Sequence, residues 1–250
     1  MSPVRLCSIL MFLGTAGAVP AAAQIARELA GIDSGTVRLS FAARPGVCGS
    51  GIHGTDIRQE SDEWEDDCED QPVHVALRVE NHRVVGLHTY VGGRWRTGTV
   101  SRADLGMIRP QEAATFFLRL AGQTDEFDGD PLLPATLADS VTIWPSLLQL
   151  ARSSGLPEDR RRNAIFWLGQ AAGDAVDGAL DSIARDGGTE QEIRKQAVFA
   201  LSQRSSGEAV AALIRIARTS RDPELRKTAL FWLGQSEDPR AIDLFEEILR

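Results

Sequence analysis

The stretch "RNAIFWLGQ" at residues 162–170 returns almost unchanged as "KTALFWLGQ" at residues 227–235, and a third version, "KQAVFALSQ", occupies residues 195–203. The three copies align at spacings of 33 and 32 residues, and a second apolar stripe follows each copy about sixteen residues later. A period of this length with two helical stripes per unit is typical of an α-solenoid. One unit cannot bury its apolar face alone, so the repetition lets neighbouring units bury each other.

Within each unit, the first helix is predicted to supply an inner ladder of large apolar side chains. The predicted ladder consists of Phe166, Phe199 and Phe231, with Leu168, Leu201 and Leu233 beside them. The second helices are predicted to begin near Gly173, Ser206 and Asp238, which are residue types that favour a helix N-terminus.

The last unit, "DPELRKTALFWLGQSEDPRAIDLFEEIL" at residues 222–249, resembles the short HEAT-like repeat. That repeat follows the pattern D-P-x-V-R, then A-x-x-A-L-G, then D-P-R-A-V-x-x-L. The matching positions are Asp222, Pro223, Arg226, Leu233, Gly234, Asp238, Pro239, Arg240 and Ala241. The resemblance implies stacked helix pairs that offer an extended surface to a protein partner. Some HEAT-like proteins are bilin lyases, but a signal peptide argues against that activity.

The region upstream of the repeats shows weaker versions of the same pattern. "WPSLLQLARSS" places Leu147 and Leu150 in register with the second stripe, and "RPQEAATFFLRLAG" at residues 109–122 begins a helix at Pro110. Residues 101–158 are therefore predicted to hold a capping helix and a degenerate repeat, and residues 159–250 three repeats. Terminal repeats are commonly atypical.

The N-terminal residues have the character of a secretory signal peptide. Arg5 precedes the apolar run "LCSILMFLGTAGAV", and Ala21 and Ala23 suit a signal peptidase. Cleavage after Ala23 is predicted, which gives an exported protein, periplasmic or secreted. An uncleaved anchor is the alternative.

Residues 24–100 are predicted to form a small β-rich domain. The sequence "PVHVALRVENHRVVGLHTYVGGRWR" reads as a hairpin with a three-residue loop, Glu80-Asn81-His82, in which residues 79 and 83 pair. That register places Val85, Leu87 and Val91 on the inner face. It also places His74 opposite His88.

The mature chain keeps two cysteines, Cys48 and Cys68, and an even count in an exported protein predicts a disulfide. The alternative is a metal site formed by Cys48, His53, Cys68 and His74, whose spacing resembles that of zinc ligands. The eight carboxylates from Glu60 to Asp70 are interpreted as a solvated loop, with calcium binding as the alternative.

Residues that recur at one position in every repeat are the candidates for binding a partner. Two basic rows are predicted to form ladders beside Asp159, Glu192 and Glu224. The first row consists of Arg161, Arg194 and Arg226, and the second of Arg162, Lys195 and Lys227. They would serve as a docking face for an acidic partner or as ion pairs between repeats. A second strip would combine Gln170, Gln203 and Gln235 with Trp167 and Trp232, unless these amides bond the backbone of neighbouring helices.

Charge and motifs narrow the function further. The net charge of −8 argues against a nucleic-acid partner, and the sequence holds no nucleophile elbow, zincin or phosphate-loop motif. We therefore expect an α+β fold, in which a small disulfide-closed β domain precedes a C-terminal α-solenoid of HEAT-like helix pairs. The expected function is that of a monomeric, non-catalytic scaffold that binds another protein and needs no cofactor. A metal-dependent enzyme or metal-binding protein, with its site in the β domain, is the alternative.

Overall fold

The computed structural model of the protein describes residues 22–47, 64–65, 72–96, 100–173 and 175–250. Strands and one short helix come first, and a series of helices follows. The strands are β1 (Gly35–Phe41), β2 (Trp64–Glu65), β3 (Val73–Glu80), β4 (Arg83–Val91), β5 (Arg94–Trp95) and β6 (Ala103–Met107). The helices are α1 (Ala22–Ala30), α2 (Pro110–Ala121), α3 (Leu132–Leu137), α4 (Trp144–Arg152), α5 (Glu158–Gln170), α6 (Ala175–Arg185), α7 (Gln191–Ser202), α8 (Gly207–Thr219), α9 (Pro223–Gly234) and α10 (Pro239–Leu249). This arrangement confirms the α+β prediction; Cys48 and Cys68 lie outside the described residues.

A four-stranded sheet in the order β4-β3-β1-β6 forms the N-terminal part, and β1 and β6 run parallel. One face of the sheet is mostly apolar and belongs to the same core as α1 and α2; Phe41 and Phe117, for example, have ring centroids 6.1 Å apart. Strand β6 lies beyond residue 100, so the sheet takes its edge strand from the segment predicted to belong to the solenoid.

The β3–β4 hairpin differs from the predicted one. Its loop has two residues, because Glu80 pairs with Arg83, and both Asn81 and His82 take positive φ values of 51° and 59°. The extra residue that brings Leu87 and Val91 onto the inner face is a bulge at Val85, since Arg78 pairs with Gly86 and Val79 with Val84. The prediction that His74 faces His88 was therefore wrong, and His74 pairs with Tyr90.

The C-terminal part contains the helix pairs α5–α6, α7–α8 and α9–α10, in which the first helices α5, α7 and α9 stack on one another; α3 packs on α2 and α5, and α4 packs on α5. Local chemistry explains where several helices begin. Asp222 and Asp238 accept hydrogen bonds from the first amides of α9 and α10, each followed by proline, and the Ser206 side chain accepts from the Ala209 amide. Ser206 and Asp238 thus confirm two of the predicted helix starts.

The inner ladder contains the predicted leucines but not the phenylalanines. Leu168, Leu201 and Leu233 are fully buried, whereas Phe166 is 41% and Phe231 57% exposed. The reason is geometric, because each phenylalanine stands two residues from a buried alanine and two from a buried leucine. At 100° per residue, that position lies on the opposite side of the helix.

The final helix also departs from the predicted stripe. Leu244 is buried and Phe245 half-buried, but Ile248 is 55% and Leu249 85% exposed. The aligned residue of α8, Ile216, is 1% exposed, because α8 is covered by α9 and also by α6 and α7. Helix α10 packs mainly on α8 and α9, and Ile248 and Leu249 lie on its exposed side.

The sheet and the helices share one hydrophobic core that runs from Ile25 to Leu244. The backbone joins them too, because the Arg44 amide donates to the Leu137 carbonyl (2.9 Å) and the Asp139 amide donates to the Ala42 carbonyl (3.0 Å). The chain after β1 is therefore hydrogen-bonded to the segment between α3 and α4, which places Arg44 beside the first helices of the solenoid.

Candidate partner-binding surface

One of the two predicted basic rows lies inside the solenoid. Arg161 is 4% exposed; its Nε donates to the Ala151 carbonyl (3.1 Å) and its Nη1 lies 2.8 Å from Oε2 of Glu190. Arg194 repeats the arrangement one unit later, with the Ala184 carbonyl at 3.1 Å. Its acidic partner is Asp222, 3.1 Å away, and Arg226 donates to the carbonyl of Ser220 at 2.7 Å. Arg161 and Arg194 therefore join the end of the preceding helix to the start of the next unit, whereas Arg226 contacts the segment that follows α8.

The acidic partners of this row are Glu190 and Asp222, which immediately precede α7 and α9. They are not the predicted Asp159, Glu192 and Glu224. The hydrogen bond from Arg161 lowers the pKa of Glu190 to about 2. Burial raises the pKa of Asp222, but hydrogen bonds from Gln191 and from two amides of α9 outweigh it, so the net shift is downward. Both carboxylates are consequently ionised at neutral pH, and each holds an arginine in place.

The second basic row lies on the surface and forms part of a larger pattern. On α5, α7 and α9, the basic residue, a phenylalanine and a glutamine follow one another at four-residue intervals, so they lie on the same side of each helix. We call this surface the aromatic stripe; its residues are Arg162, Phe166, Gln170, Lys195, Phe199, Gln203, Lys227, Phe231 and Gln235. Because the three helices stack, the stripe presents a cationic row, an aromatic row and an amide row.

Most side chains of the aromatic stripe are exposed. The three glutamines are all exposed, so they do not fill gaps between helices. Phe199 is half-buried because the ring of Trp232 lies against it, with centroids 5.1 Å apart. The cationic row is weakly paired: Arg162 lies 4.0 Å from Glu158 and Lys195 3.0 Å from Glu192, while Lys227 has no ion pair with a described residue.

The two tryptophans proposed for recognition have different surroundings. Trp167 is 8% exposed, and its Nε1 donates to Oδ2 of Asp130 (2.8 Å), whose other oxygen accepts from Asn163. Trp232 is half-buried between Phe199 and Phe231. Trp167 and Gln170 also line a cleft of about 380 Å³ at the end of α5.

Two features of this region were missed from the sequence. The exposed phenylalanines were assigned to the core, although their two-residue offset from the buried alanines and leucines contained the correct answer. The cleft had no sequence signal, because its walls come from residue 44, from residues 136–144 and from residues 167–172, which only the fold brings together.

The alternative metal site can be followed at one ligand only, since Cys48, His53 and Cys68 lie outside the described residues. His74 lies on the outer face of the sheet, where Nδ1 is 2.8 Å from Ser40 Oγ and the ring meets Trp95 edge-on at 6.0 Å. Burial lowers the pKa of His74, and the nearby Asp104 partly offsets the shift. Within the described part of the chain, no group of three or more His, Cys, Asp or Glu side chains could hold a metal ion.

None of the helices in the described ranges has both the length and the apolar character needed to cross a bilayer.

A search of curated proteins finds no significant match to this chain. The family model for HEAT repeats matches residues 178–250, which span α7 to α10 and most of α6. Stacked helix pairs at a spacing of 33 and 32 residues agree with that match, and the C-terminal part of the chain therefore consists of HEAT-like repeats.

Proposed function

We propose that this protein is a non-catalytic interaction protein that binds an acidic, extended segment of a partner protein along the aromatic stripe. The observation that carries the proposal is the alignment of cationic, aromatic and amide side chains on three successive helices. HEAT repeats suggest a role in protein interaction, and solenoids present extended surfaces for that purpose.

The dimensions of the aromatic stripe suit a short peptide. Packed helices lie about 8–10 Å apart, so three of them span about 20 Å. An extended chain rises about 3.3 Å per residue, so about six residues of a partner would cross the stripe. Exposed Phe166 and Phe231 would bury its apolar side chains, and the glutamine amides can both donate to and accept from its backbone.

The charge of the partner follows from the cationic row. Arg162, Lys195 and Lys227 line one side of the aromatic stripe in a protein whose net charge is −8. Carboxylates of the partner would meet a local positive potential there, and the negative charge on the rest of the protein surface would repel them from other docking positions.

A random-peptide display selection on the immobilised protein tests the proposal. We expect enriched peptides to be acidic and to contain aromatic or aliphatic residues, and their affinities can be measured by fluorescence anisotropy. The double variant Phe166→Ser, Phe231→Ser should weaken binding at least tenfold, as should Lys227→Glu. Ile242→Ser and Arg221→Glu are matched controls, because both residues are exposed outside the stripe. Equal binding by the stripe variants and the controls would refute the proposal.

Export remains part of the proposal. Its support is the N-terminal sequence; Ile25 and Leu29 of α1, which follow the proposed cleavage after Ala23, are buried in the fold. The intact mass of protein purified from its native source should correspond to a chain that begins at Gln24. A mass that includes residues 1–23 would contradict the proposal.

The disulfide is proposed because it follows from export, and the monomeric state is a separate proposal. Mass spectrometry of the non-reduced mature protein should show Cys48 linked to Cys68, and two alkylatable thiols would contradict the link. Light scattering at micromolar concentration should give the mass of one chain. If the mass is doubled, the monomer is wrong, and Trp232→Glu would test whether the contact lies near Phe231.

Metal analysis distinguishes the alternative function. Stoichiometric zinc that survives dialysis, together with two free thiols, would favour a metal-binding β domain. In that case His74→Ala should reduce the metal content, because His74 is the one member of the predicted ligand set that the structure describes.

A further inference from the structure

The cleft at the end of α5 has the size and composition of a small binding site. Its volume of about 380 Å³ lies within the range of ligand pockets. Trp144 and Trp167 contribute aromatic surface, Thr136 and Ser140 contribute hydroxyl groups, and Arg44 contributes a cation.

Arg44 is positioned by the fold but is not engaged by it. Its amide bonds to Leu137, which fixes its backbone at the junction between sheet and solenoid. Its guanidinium makes no ion pair or hydrogen bond with any residue in the described ranges, and none of the described residues that line the cleft is acidic. An arginine in such a position favours a planar anion such as a carboxylate, which it can bind through two hydrogen bonds.

The helix ends around the cleft add to its positive potential. Helix α4 begins at Trp144, so its positive end lies at the cleft. The negative end of α5 lies there too, but Arg204 occupies its carbonyls: Nη1 is 3.0 Å from the Gly169 oxygen and 2.7 Å from the Ala171 oxygen. The anion-repelling end of α5 is therefore compensated.

The backbone of the cleft wall is strained at Ser140, which has a φ of 55°. This conformation is costly for a residue with a side chain and persists where the surroundings enforce it, commonly at binding sites. Here the hydrogen bond from the Asp139 amide to the Ala42 carbonyl holds the wall in place.

We infer that this cleft binds a carboxylate attached to an aromatic group, as the anchor of the acidic segment that crosses the aromatic stripe. The inference rests on the proposed function, and Gln170 connects the two surfaces because it belongs to the amide row and also lines the cleft. The carboxylate would pair with Arg44, and the aromatic group would lie against Trp144 and Trp167.

The test uses small probes and the indole N–H resonances of the whole mature protein. We expect N-acetylphenylalanine to shift the Trp144 and Trp167 resonances saturably and to leave Trp232 unchanged. N-acetylphenylalanine amide, which lacks the carboxylate, should bind at least tenfold more weakly. Arg44→Gln should abolish the difference between the two probes, while Arg221→Gln, a variant of an exposed arginine elsewhere, should keep it.

A third probe, N-acetyl-Asp-Phe-amide, identifies the source of the carboxylate. Binding comparable to that of N-acetylphenylalanine indicates a side-chain carboxylate, and binding as weak as that of the amide indicates a chain terminus. Equal binding of acid and amide, or an unchanged preference in Arg44→Gln, overturns the inference. If the probes fail while selected peptides still require Phe166 and Phe231, the cleft is excluded and the proposed function stands. If the probes bind while the stripe variants retain their peptides, the cleft binds carboxylates but the proposed function of the aromatic stripe is wrong.

Discussion

Arg161 on α5 and Glu190 before α7 join two consecutive repeats through a 2.8 Å ion pair, and Arg194 and Asp222 do the same one unit later. Each arginine also bonds a carbonyl near the end of the preceding helix. Of the two roles considered for the basic rows, docking face or ion pairs between repeats, Arg161 and Arg194 have the second, and the neighbouring row of Arg162, Lys195 and Lys227 lies on the surface.

The first prediction concerns the buried arginine. Arg161→Met keeps an apolar stem but removes the donors, which leaves the Ala151 carbonyl without its partner. We expect a loss of about 1–3 kcal/mol in the free energy of unfolding. Chemical denaturation monitored by circular dichroism measures it. Arg162→Met is the control, because Arg162 is exposed and should change stability by no more than about 0.5 kcal/mol. Equal effects of the two substitutions would contradict the role assigned to Arg161.

The second prediction is a pH dependence. The pKa of Glu190 is lowered from 4.5 to about 2 in the folded protein, and that of Asp222 is lowered as well. A carboxyl group with a lowered folded pKa stabilises the fold above its unfolded pKa and loses this contribution as pH falls toward the folded value. The difference in Tm between wild type and Glu190→Gln should therefore be constant from pH 7 to about 5 and shrink between about 4.5 and 2. A difference that stays the same at all pH values would rule out the Arg161–Glu190 pair as its source.

The third prediction concerns the core shared by stacked units. Leu213 on α8 is 2% exposed, so Leu213→Asp places an unpaired carboxylate inside the solenoid. We expect a loss of roughly 3–5 kcal/mol, which would unfold more than one unit. Leu213→Met conserves volume and should cost less than about 1.5 kcal/mol. Wild-type melting of the aspartate variant would show that the repeat register is wrong.

The fourth prediction uses two glycines in the last turns of first helices, Gly169 on α5 and Gly234 on α9. A Cβ at Gly169 would lie 3.0 Å from the Cβ of Ala200 on α7, whereas a Cβ at Gly234 would meet only the tip of Phe245 at 3.8 Å. We expect Gly169→Val to destabilise by about 1–3 kcal/mol through overpacking, and Gly234→Val to stay within about 0.5 kcal/mol of wild type. Thermal unfolding of both variants provides the comparison; if both lose stability equally, the close approach of α5 and α7 is not the cause.

The helices could be predicted from the sequence because their determinants are local. The repeated nonapeptide, the cap residues Ser206 and Asp238 and the proline at residue 110 each act within a few residues. The hairpin shows where such reasoning ends: a three-residue loop and a two-residue loop with a bulge at Val85 both turn Leu87 and Val91 inward. The alternation of apolar and polar residues cannot distinguish these two loops. The two-residue loop with its bulge pairs His74 with Tyr90 and not with His88.

The candidate site was predictable in part for a related reason. Recurrence at 33 and 32 residues identified the rows of Arg162 and Gln170, because aligned residues of a solenoid lie side by side. Recurrence does not say which row faces outward. Phe166 was assigned to the core because it is aromatic, although its position on the helix places it on the outer side. The cleft needed Arg44, Ser140 and Trp167 together, and no spacing along the chain relates them.

The backbone hydrogen bonds between residues 42–44 and 137–139 give the solenoid one clamped end. Beyond that clamp each helix pair touches only its neighbours, so small bends between units add up along the series, as in a cantilever. Helices α4 and α5 should then move least against the sheet, and α10 most. The cleft beside Arg44 would keep its shape, while the far end of the aromatic stripe could adjust its curvature to the length of a bound segment.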